Sequence, residues 1–458
     1  MPETRDLNDV YGALTEKIYQ QERIRQADFD RFNVKRGLRN ADGTGVIAGI
    51  TKICNVEGYY IDDGERIPKN GKLIYRGVDL YDFVAGCKKD DRFGYEELAF
   101  LLMFGELPTE TELRDFCALL GATRELPFDF VEDVIMRAPS PNIMNKMGSS
   151  VNALYAYDPN PDDISVENVL RQSVKLIAQL PAITSYAYQV KRRFYYKKSM
   201  YIHQIKPEQT TAEAVLNSLR SDKKFTDEEA KLLDLCLMIH ADHGGGNNST
   251  FTTRCVTSTG TDTYSAIAAG IASLKGFRHG GANIKVTEMV DDIKANVSDI
   301  NDEDEVEAYL RKIVRKEAGD GSGLIYGMGH AVYTLSDPRE VLLKANAESL
   351  AKEKGFVEEW NLLDIIERVS PRIFREEKNL NKPMCANVDL YSGLIYKTLG
   401  IPMDLYTPMF AIARVAGWCA HRLEEIVTST KIIRPGYKSL GGHKAYIPLE
   451  LRDKEANV

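Results

Sequence analysis

From Leu80 onward the apolar residues fall three and four positions apart, the spacing of one helical face. "YEELAFLLMFGELP", residues 95–108, carries this pattern and stops at Gly105 and Pro108. "PTETELRDFCALLG" restarts it, with Thr109 three residues ahead of Glu112. That is a capping-box spacing, in which the two side chains satisfy each other's free backbone N–H at a helix start. Thr226 and Glu229 repeat the signal ahead of "FTDEEAKLLDLCLMIHADH". Further helical patterns cover 165–194, 263–276, 281–297, 303–317, 338–355 and 407–427. Pro338 and Pro408 stand where the first helical residue is expected, a position that needs no N–H. Ahead of Leu80, residues 10–32 read as one charged helix. Residues 45–78 are rich in β-branched and aromatic side chains, with turn signals at Asp62-Asp63-Gly64 and Asn70-Gly71. The pattern predicts a mainly α protein with a few short N-terminal strands. No repeat of fixed period and no low-complexity linker interrupts it.

Composition narrows the setting. The chain has 458 residues, of which 43% are hydrophobic and 28% charged, an ordinary globular balance. Its 59 basic and 67 acidic residues leave a net charge of -8, without the basic footprint that nucleic-acid binding requires. Small anions are not excluded, because a few arginines in a cleft can bind carboxylates on an acidic protein. The seven cysteines are scattered and form no CxxC, which predicts reduced thiols in a cytosol-like compartment. No apolar stretch approaches the roughly 18 residues of a membrane span. The N-terminus has no apolar signal core and carries several acids, so a cytoplasmic location is expected.

Three histidines beside glycines stand out: His243 in "ADHGGGNNST", His279 in "GFRHGGAN" and His330 in "GMGHAVY". Each falls where a helix stops or starts, and such ends offer unpaired backbone groups and dipole ends to a ligand. A plain turn or core role is the competing reading for each. His240 and His243 are three apart and could form half of a metal site, but no neighbour completes the set and HExxH is absent. "GMGHAV" resembles part of a dinucleotide fingerprint, yet lacks its third glycine and its βαβ setting.

The arginines carry a second signal. Arg339 follows Pro338 in a first helical turn, where a cation opposes the helix dipole. It is a solvated charge, a partner of Glu340 or a residue beyond, or a guanidinium aimed at a carboxylate ligand. Arg414 lies among Ala411, Ala413, Ala416 and Gly417, a small-residue background that predicts a buried anionic partner. Arg434 precedes Pro435-Gly436 and alone carries no weight. Asp389, in "CANVDLYSG", opens a helix ending near Gly400 and Pro402. It is an N-cap or a carboxylate base.

Taken in order, "HADHGGGNNSTF", "GFRHGGAN", "YGMGHAVYTLSDPR", "NVDLYSG" and "ARVAGW…IIRPGY" resemble the citrate synthase family at family-like spacing over residues 230 to 436. "LIYRGVDL" followed by "YEELAFLLMFGELPT" resembles the family's N-terminal part. The resemblance implies a two-domain helical fold: a large domain of residues 1–279 and 391–458, and an inserted small domain of 280–390 that closes over the coenzyme A site. It implies a homodimer and the condensation of acetyl-CoA with oxaloacetate, without a cofactor or a metal.

The same resemblance assigns roles. Asp389 is the base, His279 stabilises the enol, and His330 polarises the oxaloacetate carbonyl. His243, Asn247, Arg339 and Arg414 hold oxaloacetate, with Arg434 reaching in from the partner subunit. Leu324, Gly327, Met328, Gly329, Ala331, Lys382 and Asn387 face coenzyme A. One position departs from the family's pattern: Thr334 stands four after the loop histidine, where many relatives place a basic residue against a CoA phosphate, and Lys378 or Lys382 would have to compensate. A 2-methylcitrate synthase using propionyl-CoA, and a non-catalytic scaffold of the same fold, are the alternatives.

Overall fold

The structure, a computed structural model, describes residues 7–21, 23–40, 43–428 and 431–452. They fall into two compact units. One takes in the chain up to Ala48 and again from Arg434, and the other runs Gly49–Ile433. In the first, α1 (Leu7–Gln20) and α2 (Gln26–Arg31) replace the single helix expected over 10–32. The break has a local cause: Arg25 N–H donates to the Asp28 carboxylate at 2.9 Å, which starts a new helix.

The second unit opens with an antiparallel sheet of β1 (Cys54–Asp62), β2 (Glu65–Tyr75) and β3 (Val78–Asp79), in that order. The turn at Asp62-Asp63-Gly64 joins β1 to β2 as expected. Asn70-Gly71 is not a turn. It lies inside β2 where the register slips, since Glu57 pairs with Lys72 but Tyr59 with Pro68. Glycine serves there for close approach. A Cβ on Gly71 would sit 2.2 Å from the Ser336 carbonyl oxygen, and one on Gly58 2.5 Å from that of Val332. The two glycines let the segment around 332–336 lie directly on the sheet.

The rest is helical: α3 (Leu80–Lys89), α4 (Tyr95–Phe104), α5 (Glu110–Thr123), α6 (Ile143–Leu154), α7 (Val166–Phe194), α8 (Thr211–Leu219) and α9 (Asp227–His240). There follow α10 (Asn248–Thr257), α11 (Thr263–Lys275), α12 (Ala282–Asn296), α13 (Glu303–Val314) and α14 (Pro338–Glu353). Last come α15 (Val357–Lys378), α16 (Asp389–Thr398) and α17 (Tyr406–Thr428). Both expected capping boxes form, at Thr109–Glu112 for α5 and Thr226–Glu229 for α9. Pro338 is the first residue of α14 as expected, whereas Pro408 is the third of α17, still in the turn that needs no N–H.

α9 is buried from Glu229 on except at Lys231, and α17 from Tyr406 to Arg422 except at Phe410. Helices buried all round form the axis of a core. The small residues of α17 admit the end of α9: a Cβ on Gly417 would lie 2.4 Å from the Ala241 carbonyl oxygen. This contact brings residues 240–243 against Arg414. Among the described residues no helix is long and apolar enough to cross a membrane.

Candidate active site

The chain leaves α9 through His240, Ala241, Asp242 and His243. His240 is a core residue: its Nδ1 meets the Cys236 carbonyl at 2.8 Å, and burial lowers its pKa to about 3. Among the described residues no group of three or more His, Cys, Asp or Glu is arranged to hold a metal ion. Asp242 is fully buried, with His421 Nε2 3.2 Å from its Oδ2 and Gly244 N–H donating to the same oxygen at 3.0 Å. Burial alone would raise its pKa, but His421 and Arg414 outweigh that and hold it at about 2.

Arg414 lies at 0% exposure with Nε donating to the His240 carbonyl at 2.7 Å. Its Nη1 and Nη2 have no hydrogen-bond partner. The buried anionic partner expected from sequence makes no ion pair with it, because the nearby Asp242 is taken by His421 and Gly244. A buried guanidinium with two nitrogens unmet within the chain is a fixed donor pair for an incoming carboxylate. Nε2 of His243 is likewise buried and unpartnered. Burial, then Arg339, His330 and Arg414, push the His243 pKa well down, so this imidazole is neutral. The His243 ring stands edge-on to His330 at 5.2 Å and to Tyr333 at 5.6 Å.

Arg339 is also buried, and its partner is neither Glu340 nor a later residue. Asp337, two residues earlier, accepts from Nε at 3.0 Å and Nη2 at 2.6 Å, and caps the helix through Arg339 N–H at 3.0 Å. Burial works against the guanidinium charge, and Asp337 beside it more than restores it.

His330 is held by two stitches. Its Nδ1 accepts the N–H groups of Val332 and Tyr333, both at 3.1 Å, which leaves the ring proton on Nε2. The preceding loop is tied to the strand-like segment before α16. Gly329 N–H donates to the Cys385 carbonyl, Asn387 N–H to that of Gly327, and Asn387 Nδ2 to that of Gly329, each at 2.8 Å. Met328 bridges Ala386. Gly327 permits this approach, since a Cβ there would lie 2.9 Å from Leu390 Cα.

Two residues past Asn387, Asp389 is the first residue of α16 and not its N-cap. Its own N–H is taken by the Asn387 side chain at 3.0 Å, so its carboxyl has no capping duty. Burial raises that carboxyl to about 6, against the pull of Arg339.

His279 sits in the turn between α11 and α12. Its Nε2 accepts from Ser249 N–H at 3.3 Å and lies 3.1 Å from Ser249 Oγ. That hydroxyl donates to Asn247 Oδ1 at 2.9 Å and accepts from Trp418 Nε1 at 3.2 Å. The ring proton therefore sits on Nδ1, the reverse of His330. Burial, then Arg414, lower His279 to about 4, so it is neutral above that pH. Asn247 is the N-cap of α10, accepting from Ser249 N–H.

The remaining coenzyme-facing candidates are placed unevenly. Gly327, Met328, Gly329 and Asn387 share the stitched loop, while Leu324, Ala331, Lys378 and Lys382 are exposed. The Thr334 hydroxyl is buried without a partner. Arg434 is exposed and belongs to the other compact unit. Sequence reasoning passed over Ser249 and Trp418, which set the His279 tautomer, and the Asp242–His421 pair. Ser249 lay in plain view two residues after Asn247, but nothing local connects Trp418 to a turn 30 positions or more away in the chain.

The set has a chemical sense. Arg414 acts on both His243 and His279, and Arg339 on His243 and Asp389, so the groups share one field. Two neutral imidazole donors, a carboxylate of raised pKa and two buried guanidiniums suit abstraction of a proton beside a carbonyl in the presence of an anionic acceptor.

The family model for citrate synthase, C-terminal domain, matches residues 40–436. The citrate synthase of Haloferax volcanii is 32% identical over 416 residues, covering 89% of this chain and 96% of that protein. That of Deinococcus radiodurans is 30% identical over 92% of this chain and 100% of the relative. Among solved structures, Pyrobaculum aerophilum citrate synthase superposes with a TM-score of 0.70 at 30% identity, covering 88% of this chain and 93% of the other. The ternary complex of carboxymethyl coenzyme A and oxaloacetate with the citrate synthase of Thermoplasma acidophilum gives a TM-score of 0.75 at 26% identity, covering 92% of this chain and 99% of the other.

Proposed function

The chain belongs to the citrate synthase family, a family of transferases, and from that premise we propose that it condenses acetyl-CoA with oxaloacetate and hydrolyses citryl-CoA to citrate and CoA. The observation that carries the reading is the opposed tautomers of two neutral histidines. Backbone N–H groups lock the proton of His279 on Nδ1 and that of His330 on Nε2.

The chemistry needs both. A thioester methyl is a very weak acid, and an ordinary aspartate near pKa 3.9 is a poor base for it. Asp389, raised to about 6, is a better one. It still requires stabilisation of the enol as it forms, which the Nδ1–H of His279 supplies at the thioester oxygen. The Nε2–H of His330 polarises the oxaloacetate carbonyl, whose carbon the enol attacks. Water then cleaves the citryl thioester and CoA leaves. Arg339, Arg414 and His243 hold the two carboxylates of oxaloacetate, and Asn247 borders them. Leu324, Gly327, Met328, Gly329, Ala331, Asn387 and Lys382 border coenzyme A. In this scheme the residues supply acid, base and charge, so neither metal nor cofactor enters.

The scheme includes a homodimer in which Arg434 of one subunit completes the oxaloacetate pocket of the other. Tyr437 and Tyr446, 94% and 82% exposed on the same segment as Arg434, support it as surface that a partner would cover. It also includes closure of residues 280–390 over residues 1–279 and 391–458 to exclude water, and action in the cytoplasm. Thiol release from acetyl-CoA in the presence of oxaloacetate tests the activity. A higher kcat/KM with propionyl-CoA would replace it by 2-methylcitrate synthesis, a difference of one methyl worth only about 1–3 kcal/mol.

A further inference from the structure

We propose that Arg66, in β2 and outside the substrate-binding set, is a positioning residue that polarises His330 through two peptide groups; this rests on the function proposed above. The Arg66 guanidinium stacks over the Tyr59 ring, 3.8 Å from its centroid, which fixes its plane. From there Nη2 donates to two backbone carbonyls, Ala331 O at 3.4 Å and Val332 O at 3.2 Å. Those oxygens belong to the same two peptide units whose N–H groups, on Val332 and Tyr333, donate to His330 Nδ1 at 3.1 Å each.

A trans peptide unit points its C=O and N–H in opposite directions. One cation on the oxygen side therefore aligns both donors on the nitrogen side. Linked hydrogen bonds also polarise one another. The cation draws density from each carbonyl, each N–H becomes a stronger donor to Nδ1, and the Nε2–H of His330 becomes a stronger donor in turn. The hairpin reaches this position because Gly58 has no side chain, as a Cβ there would sit 2.5 Å from Val332 O. The sheet thus does electrostatic work on the site as well as packing against it.

The test uses the full-length enzyme with Arg66→Met, which keeps an apolar stack on Tyr59 but removes the donors, and Arg66→Lys, which keeps the charge. Steady-state kinetics are paired with the 13C resonance of the C2 carbonyl of labelled oxaloacetate bound to each variant. Arg66→Met is expected to lose about 10-fold in kcat, the low end for a residue supporting a catalytic group. KM for oxaloacetate should change little, the bound carbonyl resonance should move toward its free position, and Arg66→Lys should recover part of both effects. A folded Arg66→Met with wild-type kcat overturns the inference, as does a fall in kcat with an unmoved carbonyl resonance, which would mark a merely structural role. If Arg66→Met does not fold, Arg66→Gln, which also removes the charge, is read by the same two criteria. A wild-type enzyme that binds no oxaloacetate overturns the proposed function, and this inference with it. Turnover by the wild type with unaltered Arg66 variants overturns this inference alone.

Discussion

Asp337 caps the helix whose first turn carries Arg339 and grips the guanidinium of that residue through both carboxylate oxygens. This resolves the cation that looked misplaced in a first helical turn. The helix end receives a negative charge from Asp337, and the guanidinium is held buried and charged by the same carboxylate.

Asp337→Asn should therefore act twice. It leaves a buried cation without its partner, which costs about 3 kcal/mol of stability, measurable by denaturant unfolding. Asp337 also raises the pKa of Asp389, so its neutralisation should move the acid limb of the pH–rate profile below pH 6. An acid limb that stays at 6 or rises would contradict the shared field.

As the base of the proposed reaction, Asp389 should set the pH dependence of the wild type. A base must be ionised, so kcat/KM should fall tenfold per unit as the pH drops below about 6. His279, at about 4, adds no limb above pH 5. The same shift has a cost in stability. The folded pKa of Asp389 stands above its ordinary value, so the contribution is fully present below about pH 4 and is lost as the pH rises through 6. Asp389→Asn should abolish condensation and yet stabilise the fold at pH 8 by on the order of 2–3 kcal/mol, since each pKa unit is worth about 1.36. Unfolding titrations of the two proteins at pH 5 and pH 8 compare both effects.

Arg414 makes the complementary case. Two nitrogens of a fully buried cation unmet within the chain mean that Arg414→Met should cost the ligand-free enzyme little. Relief of the buried charge offsets the loss of the Nε bond to the His240 carbonyl and of the cation facing Asp242. Oxaloacetate affinity should nevertheless fall on the order of 100-fold, the worth of charged hydrogen bonds lost from a dry site. Oxaloacetate at 100 times its wild-type Kd should stabilise the wild type by about 2.7 kcal/mol and the variant by only about 0.4 kcal/mol. Thermal melting with and without oxaloacetate distinguishes these outcomes.

These expectations mark what was legible in the chain. Helix starts were readable at Thr109, Thr226 and Pro338, because a cap is a local event between residues two or three apart. Asn70-Gly71 carries the same local signal for a turn but answers a distant need, the close approach of Ser336 to β2. The groups with chemical character stood out beside their glycines, whereas the contacts that give them a defined protonation state did not. Ser249 and Trp418 fix His279, and Arg66 reaches the loop of His330 from 264 positions earlier. Such partners are set by packing across the fold, where no spacing in the sequence reports them. The partner of Arg414 was legible only in part for the same reason: the buried carboxylate of Asp242 shares its field, but the hydrogen bonds of that carboxylate go to His421, two turns beyond Arg414, and to Gly244.

The proposed dimer predicts complementation between two inactive variants. If Arg434 of one subunit serves the pocket of the other, Asp389→Ala and Arg434→Ala each inactivate both sites of a homodimer, by different routes. In a mixed dimer the body carrying Arg434→Ala has its own Asp389 and receives an intact Arg434 from its partner, so that site is whole. The other site lacks both groups. Random re-association of equal amounts makes half of the dimers mixed, each with one live site of two, so activity should return to about a quarter of wild type in a symmetric two-site assembly. Recovery should follow the kinetics of subunit exchange and disappear if the subunits are cross-linked before mixing. No recovery after demonstrated exchange would place Arg434 in its own subunit's pocket or outside the site altogether.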